Sequence, residues 1–310
     1  MFGGLSTYLG KGDKQVVVSY RGFRSTKHYQ GTDPFPALDA NGPINVQNQV
    51  NVDFTYALTS RWNLSINIPL HFNSFSVRRT DPVTRVPTWQ KTESSGVGDI
   101  ILRARYWTMS TEQDDHNIGV SVGVKLPTGK ANRTDQVFTR TVPVDVSVQT
   151  GDKGWGVTTG VQGFQRIKRA TIYGSASYLF NPRNTNGVPT FFGSLTNPNN
   201  TQVNSVADQF STQAGVSVRL KGKWPVPSIA YRFEGVPVRD RIGKSEGFRR
   251  PGAFGFIEPS INYGIGRQLF SFGVAIRNYV NVKDQPSSAR VEDATIPKYM
   301  FFAAYSIRFK

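Results

Sequence analysis

The sequence contains no cysteine, which excludes disulfides, thiolate metal sites, iron–sulfur clusters and cysteine nucleophiles. No apolar run approaches the roughly 20 residues that a membrane-spanning helix requires, and hydrophobic residues make up only 38% of the chain. A helical membrane protein is therefore excluded. A membrane-spanning barrel is not, because its strands need only about 9 to 11 residues and alternate ones can be polar. Helical periodicity over any length is missing too. The three histidines, His28, His71 and His116, are scattered, and without thiols they have no spacing suited to a metal. Acidic residues are in short supply: 37 Lys and Arg stand against 21 Asp and Glu, a formal charge of +16. Such an excess implies an anionic partner. The basic residues are dispersed and no nucleic-acid module accompanies them, which argues against nucleic acid and leaves lipid phosphates and anionic solutes.

What the chain does have is alternation. From Ile44 to Leu58 every second residue is apolar (Ile44, Val46, Val50, Val52, Phe54, Tyr56, Leu58, with Asn48 the exception), and after Thr59-Ser60-Arg61 the pattern resumes as Trp62, Leu64, Ile66, Ile68, Leu70, Phe72. Side chains of a strand point alternately to opposite faces, so this is a hairpin with one oily and one polar face. Each arm exceeds the five or six residues usual for a globular strand. The same rhythm recurs through Val16–Tyr20, Ile100–Tyr106, Ile118–Leu126, Trp155–Val161, Ile172–Phe180, Phe210–Leu220, Ile229–Phe233, Ala253–Tyr263, Phe270–Ile276 and Tyr299–Phe309. With the two arms of the hairpin, that makes about twelve strands, an even number as in single-chain bacterial outer-membrane barrels.

The connections alternate in length. Segments 25–43, 78–96, 128–150, 181–208, 239–251 and 282–296 are long, and 59–61, 110–116, 165–169, 221–225 and 265–268 are short. Long extracellular loops and short periplasmic turns have this asymmetry. One stretch resists the scheme: Val142, Val144, Val146 and Val148 run in even parity, whereas Trp155 onward runs odd. Either a bulge switches the face there, or the segment is a strand extension above the membrane, or it is a separate spanning strand.

Which face is wet follows from size. About eight strands enclose just enough room for side chains to fill, and twelve would leave a void that apolar residues could not pack. The oily face must lie outside, in lipid, with closure supplying every backbone partner. Trp62, Trp107, Phe164, Trp224 and Phe309 toward the short turns, and Phe72, Phe180, Phe210, Tyr279 and Tyr299 toward the long loops, match interfacial aromatic belts. The competing reading, a soluble two-layer β sandwich, would have shorter strands. The expected architecture is all-β: a transmembrane antiparallel up-and-down barrel over residues 13–310 in a Gram-negative outer membrane, preceded by a periplasmic segment, 1–12. No signal sequence precedes the first strand, so the chain is taken as a mature form.

The polar parity places Arg21, Arg103, Arg105, Lys125, Arg219, Arg232, Arg277 and Arg308 inside, against Asp53, Asp99, Glu234 and Glu258. Fixed positive charge in a confined pore concentrates anions. The candidate solute-binding residues are Arg103, Arg105, Lys125, Arg219, Arg232 and Arg277 with Glu234 and Glu258. In the alternative, the arginines pair with the acids and brace the wall. At the outer end Arg78, Arg79, Arg85, Lys91, Arg239, Arg241, Lys244, Arg249 and Arg250 suit outer-leaflet phosphates or simple solvation. Catalysis finds no support: the lipid-facing stripes offer no Ser–His pair, and His71 has lumen parity. The short Gly264-Ile265-Gly266 stretch is a hairpin turn rather than a phosphate-binding fingerprint. No cofactor or metal is expected.

Gly96-Val97-Gly98-Asp99-Ile100 leading into Leu102-Arg103-Ala104-Arg105-Tyr106, the strand end Lys125-Leu126-Pro127-Thr128-Gly129, and Gln149-Thr150-Gly151-Asp152 with Trp155-Gly156 resemble the outer-membrane transporter-like family named for the meta-pathway of phenol degradation. The likeness covers the middle of the chain best. It implies an outer-membrane barrel for hydrophobic or aromatic solutes and carries no site residues. The motifs themselves read as structural, glycines permitting a chain reversal and Pro-Thr-Gly ending a strand. Phe309 resembles the terminal aromatic of barrel-assembly signals, although Lys310 follows it. The functional expectation is a porin-like channel for passive diffusion of small solutes, anions preferred. The alternatives are an uptake channel for aromatic or hydrophobic molecules and a non-conducting scaffold barrel. Expected partners are outer-membrane lipid, lipopolysaccharide and small anionic or aromatic solutes, with a homo-oligomer or an envelope-complex partner left open.

Overall fold

A computed structural model of the chain describes residues 9–110, 115–222, 224–286 and 293–310. Twelve strands form one closed antiparallel sheet: β1 (Lys14–Ser25), β2 (Ile44–Ala57), β3 (Trp62–Thr80), β4 (Ile100–Trp107), β5 (His116–Leu126), β6 (Gly156–Ile167), β7 (Ala170–Phe180), β8 (Gln209–Val218), β9 (Val226–Val236), β10 (Gly252–Ile265), β11 (Gln268–Val282) and β12 (Tyr299–Phe309). Each pairs with its neighbour in the chain, and β12 returns to β1 with Phe309 opposite Lys14 and Phe301 opposite Gly22. No edge is left exposed, as the hydrocarbon layer demands of a sheet. Each of the twelve stripes assigned to a strand falls on one of these, with Leu58, Trp155 and Leu220 just outside β2, β6 and β8, and the β sandwich is excluded.

The oily rows face outward. Val122, Ile172 and Phe272 are each more than half exposed, and Val18, Phe54, Leu102, Val157, Ile229, Ile257 and Phe301 carry the band round the wall. Apolar surface so continuous is a lipid-facing belt. The rows of opposite parity, with Asn51, Ser121, Ser175 and Ser177 among them, surround a central cavity. Trp62, Trp224 and Phe309 are exposed at the short-turn end as expected, but Trp107 is not. It shares the inward row of Arg103 and Arg105, is 4% exposed, and packs edge-on to Phe164 with ring centroids 6.4 Å apart.

Two features of the loop end differ from the alternation pattern. Strand β3 continues to Thr80, and its upper part exchanges β4 as partner for an additional strand, Pro87–Val97, with Thr80 opposite Pro87. The valine stripe is neither a spanning strand nor an extension of β6. Val142 belongs to a small hairpin of Thr134–Val137 with Arg140–Pro143. Val142, Val144 and Val148 are buried with Phe75, Val77, Val137 and Phe191, the last from the short helix Phe191–Thr196. An oily stripe needs burial worth about 1.5–3 kcal/mol per large side chain. Here the loops and the upper part of β3 supply it, without lipid.

The three motifs that carry the family resemblance meet at the loop-end rim. Asp99 Oδ1 accepts from the Gly129 amide at 2.9 Å and Oδ2 from the Asp152 amide at 3.2 Å. Thr128 Oγ1 donates to the Gly98 carbonyl at 2.7 Å and accepts from the Ile100 amide at 3.0 Å. A Cβ at Gly151 would stand 2.6 Å from Asp99 Oδ1, so glycine is required where the backbones close in. At the opposite end, Leu9 is buried against the cavity and the Gly12 amide donates to the Ala57 carbonyl at 2.8 Å. Residues 1–8 of the expected N-terminal segment, and parts of connections 110–116, 221–225 and 282–296, lie outside the described residues.

Candidate functional site

The cavity has a volume of about 1670 Å³ and runs from Gln15 and Ser306 near the short turns to Phe191 and Gln285 among the long loops. Its two sides differ. On the side of β10, β11 and β12, the lumen is filled by Phe256, Ala275 and Met300, with Phe23, Phe254 and Phe302 packed against them. A polar strut covers that packing. Arg21 of β1 reaches Glu234 of β9 at 2.9 Å; Arg232 joins Glu234 at 2.8 Å and Glu258 at 2.7 Å; Gln213 of β8 donates to Glu258 at 2.5 Å. Arg21 Nη2 also lies 3.3 Å from Met300 Sδ, and the Arg232 guanidinium sits 5.2 Å from the centre of the Phe256 ring. Strands β1 and β9 are not neighbours, so the strut crosses a chord of the barrel.

The facing wall, from β2 through β7, stays open and polar. Asp53 accepts from Asn67 at 2.9 Å and lies within electrostatic reach of Arg103 and Arg105. Neither arginine makes an ion pair within 4.0 Å among the described residues, and Arg105 Nε is buried without a hydrogen-bond partner. Two guanidinium groups against one carboxylate leave the middle of this wall at +1; Arg78 and Arg79 of β3 also line the cavity, at its loop-end mouth.

The structure brings five of the eight sequence-predicted site residues to the cavity: Arg103, Arg105, Arg232, Glu234 and Glu258. Three lie elsewhere. Lys125 is 4% exposed at the loop-end rim, paired with Asp152 and 3.8 Å from Asp99. Arg277 donates to the Ile296 carbonyl at 2.6 Å and to the Tyr29 hydroxyl, with its guanidinium 4.3 Å from the Tyr29 ring centre, so it ties two loops to β11. Arg219 follows the last residue of β8 and is exposed at the short-turn end. Parity alone put it inside, but the strand stops before it.

The loop end narrows the cavity. Asp145, Val146 and Ser147 line it, held over the β2 wall by Asn45 to Ser147 Oγ at 2.9 Å and Gln47 to the Ser147 carbonyl at 2.8 Å. Arg250 grips Asp145 through both oxygens at 2.9 and 3.0 Å. Burial alone would push the Asp145 carboxyl up; the Arg250 charge and the Ser147 hydrogen bonds outweigh it and hold it below its usual range. Arg249 is buried and pairs with Asp240 at 2.6 Å, so neither Arg249 nor Arg250 is spent on lipid phosphate. Alternation gave no sign of the Phe23, Phe254, Phe256 and Phe302 packing: these phenylalanines sit on the polar parity and read as exceptions to it. Of the histidines, His28 is buried beside Asp39, His71 stands against Gly98 and His116 is exposed at the start of β5.

No family model matches the chain. Among solved structures, an outer membrane channel from Pseudomonas putida F1 is similar at TM-score 0.66 and 15% identity over 98% of each chain. The translocator domain of the autotransporter NalP from Neisseria meningitidis gives 0.49 at 10% identity, and the Ralstonia pickettii toluene transporter TbuX 0.45 at 9%, each over 99% of this chain and 91% of the other. At 15% identity the first likeness is one of fold. With its closed twelve-stranded sheet and continuous apolar belt, the chain is an outer-membrane β-barrel.

Proposed function

We propose that this barrel is a channel for passive diffusion of small solutes across the outer membrane, with a preference for anions. The observation that carries the reading is the wall of Arg103 and Arg105. Arg21 and Arg232 are neutralised by Glu234 and Glu258, Lys125 and Arg277 are engaged in the loops, and these two arginines face the open side of the cavity with only Asp53 against them. Fixed charge in a confined pore concentrates counter-ions of opposite sign. The expectation of a broad arginine field contracts accordingly to one pair at mid-barrel, with Arg78 and Arg79 at the loop-end mouth. Planar-bilayer recording under a salt gradient tests the reading: a reversal potential on the anion side supports it, and silence or cation selectivity overturns it.

A second reading, uptake of aromatic or apolar solutes, is favoured by the outer mouth. Phe191, Phe192, Phe254 and Ile296 line the upper cavity above the charged wall. Binding of phenolic compounds without ionic current would support it over the first. Neither reading involves catalysis.

A further inference from the structure

The short-turn end carries the steepest charge imbalance in the molecule. It comprises residues 9–14, 58–61, 166–169, 219–222, 266–267 and 308–310 and the described part of turn 108–116. These hold eleven Lys and Arg against two acids, Asp13 and Asp115, a balance of +9. Counting by sequence also Glu112, Asp114 and Lys223, which lie outside the described residues, leaves +8, half the +16 of the whole chain. The charge runs round the barrel except at the second turn, whose described residues carry only the charge of Asp115: Arg61 is in the first turn, Arg169 in the third, Lys221 in the fourth, Arg267 in the fifth and Lys310 at the seam, all exposed. None of these five makes an ion pair within 4.0 Å among the described residues. At the opposite end, by contrast, Lys27 is paired with Asp39, Arg249 with Asp240 and Arg250 with Asp145.

Interleaved with these cations are exposed apolar side chains: Trp224 at 71%, Ile265 at 54%, Trp62 and Leu220 at 45%. They form the lower margin of the lipid-facing belt, so the basic groups stand at head-group depth. From this placement we infer that the short-turn end is a collar for anionic phospholipid head groups in the inner leaflet of the outer membrane. Two features select lipid over a soluble partner. A docked protein would meet only one sector of basic groups spread over four of the five turns and the seam, and those groups are continuous with surface already in the bilayer. Lys and Arg near a membrane surface attract anionic lipid by a sum of individually modest contributions. The inference rests on the membrane placement and is independent of what the lumen conducts.

The test is native mass spectrometry of the full chain in detergent, titrated with phosphatidylglycerol or with phosphatidylethanolamine of the same acyl chains. The wild type should retain phosphatidylglycerol at least about tenfold better, and the preference should erode as salt rises from about 0.05 to about 0.5 M. R61Q/R169Q/K221Q/R267Q should lose it, and the outer-end control R239Q/R241Q/K244Q should keep it. Equal retention of both lipids by the wild type, an unaltered preference in the turn-end variant or an equal loss in the control would overturn the inference. Should the quadruple variant fail to form a closed barrel by its heat-dependent gel shift, R61Q/R267Q carries the same comparison with about half the effect.

Discussion

Neutralising Arg103 and Arg105 together should invert the ion selectivity of the channel. The wall they share with Asp53 carries +1 in the wild type and −1 in R103Q/R105Q, while the strut of Arg21, Arg232, Glu234 and Glu258 stays balanced. An ion passing about 6 Å from one unit charge in a water-filled lumen gains or loses about 0.7 kcal/mol. In about 0.1 M salt, with a Debye length of about 10 Å, that energy is roughly halved. Because an anion gains what a cation loses, one uncompensated charge shifts the anion-to-cation ratio about threefold to fourfold. The double variant moves the wall by two charges, so the ratio should swing about tenfold and cross unity. Asp53→Asn takes the wall to +2 and should deepen anion preference, and Arg219→Gln, beyond the end of β8, should leave it near the wild-type value. The assay is the reversal potential in a planar bilayer under a potassium chloride gradient, for all four proteins. A double variant that reverses at the wild-type potential would refute the reasoning, and would shift the field to Arg78 and Arg79, which line the loop-end mouth of the cavity against Asn41 and the Phe192 ring with no acid within 4.0 Å among the described residues.

Other consequences concern the frame around that wall. Glu258→Ala leaves the half-buried Arg232 with only Glu234, which it shares with Arg21; the loss should be up to about 3 kcal/mol, read from urea unfolding in lipid vesicles. Val122→Arg places a charge on the lipid face and should cost about 2–4 kcal/mol near the bilayer midplane, whereas Ser177→Arg, on the cavity side, should fold into vesicles almost as the wild type does. The Asp145 carboxyl is held below its unfolded value, so its contribution is complete above about pH 4 and is lost as pH falls through the lowered folded value. The chain has no cysteine, so a polarity-sensitive dye on Val146→Cys labels one site. Its emission should change only below about pH 4, and already at neutral pH when Asp145→Asn is added.

Much of the frame was legible because a barrel in lipid obeys a rule of period two. Each strand must show hydrocarbon one row and water the other, so Ile118, Val120, Val122 and Val124 announce β5 without knowledge of any partner. The rule stops where the bilayer stops. Val142 to Val148 obey the same alternation above the membrane, yet their burial comes from Phe75 and Val77 on the upper part of β3 and Phe191 on the short helix. Nothing local distinguishes a valine that faces lipid from one that faces another loop. Arg219 marks the other limit: parity continues past the end of a strand on paper, but the strand stops at Val218 and Arg219 is exposed outside the cavity lining.

The candidate site was legible only as a set of inward-facing charges, because its character depends on pairings that parity cannot supply. Arg21 and Glu234 stand 213 residues apart and on strands that do not touch. Their contact exists because Phe256, Met300 and Phe302 fill the space behind it, and those side chains lie on the row where alternation calls for polar residues. Removing the apolar packing would therefore affect the charges in front of it. Phe256→Ala should leave Arg232 without the ring beneath its guanidinium and loosen the strut, at a cost of about 3 to 5 kcal/mol. If the strut sets the width of the open side, conductance should rise in that variant while selectivity, which resides in Arg103 and Arg105, stays on the anion side. A variant that loses selectivity without widening would instead mean that the strut arginines, paired as they are, still supply the field.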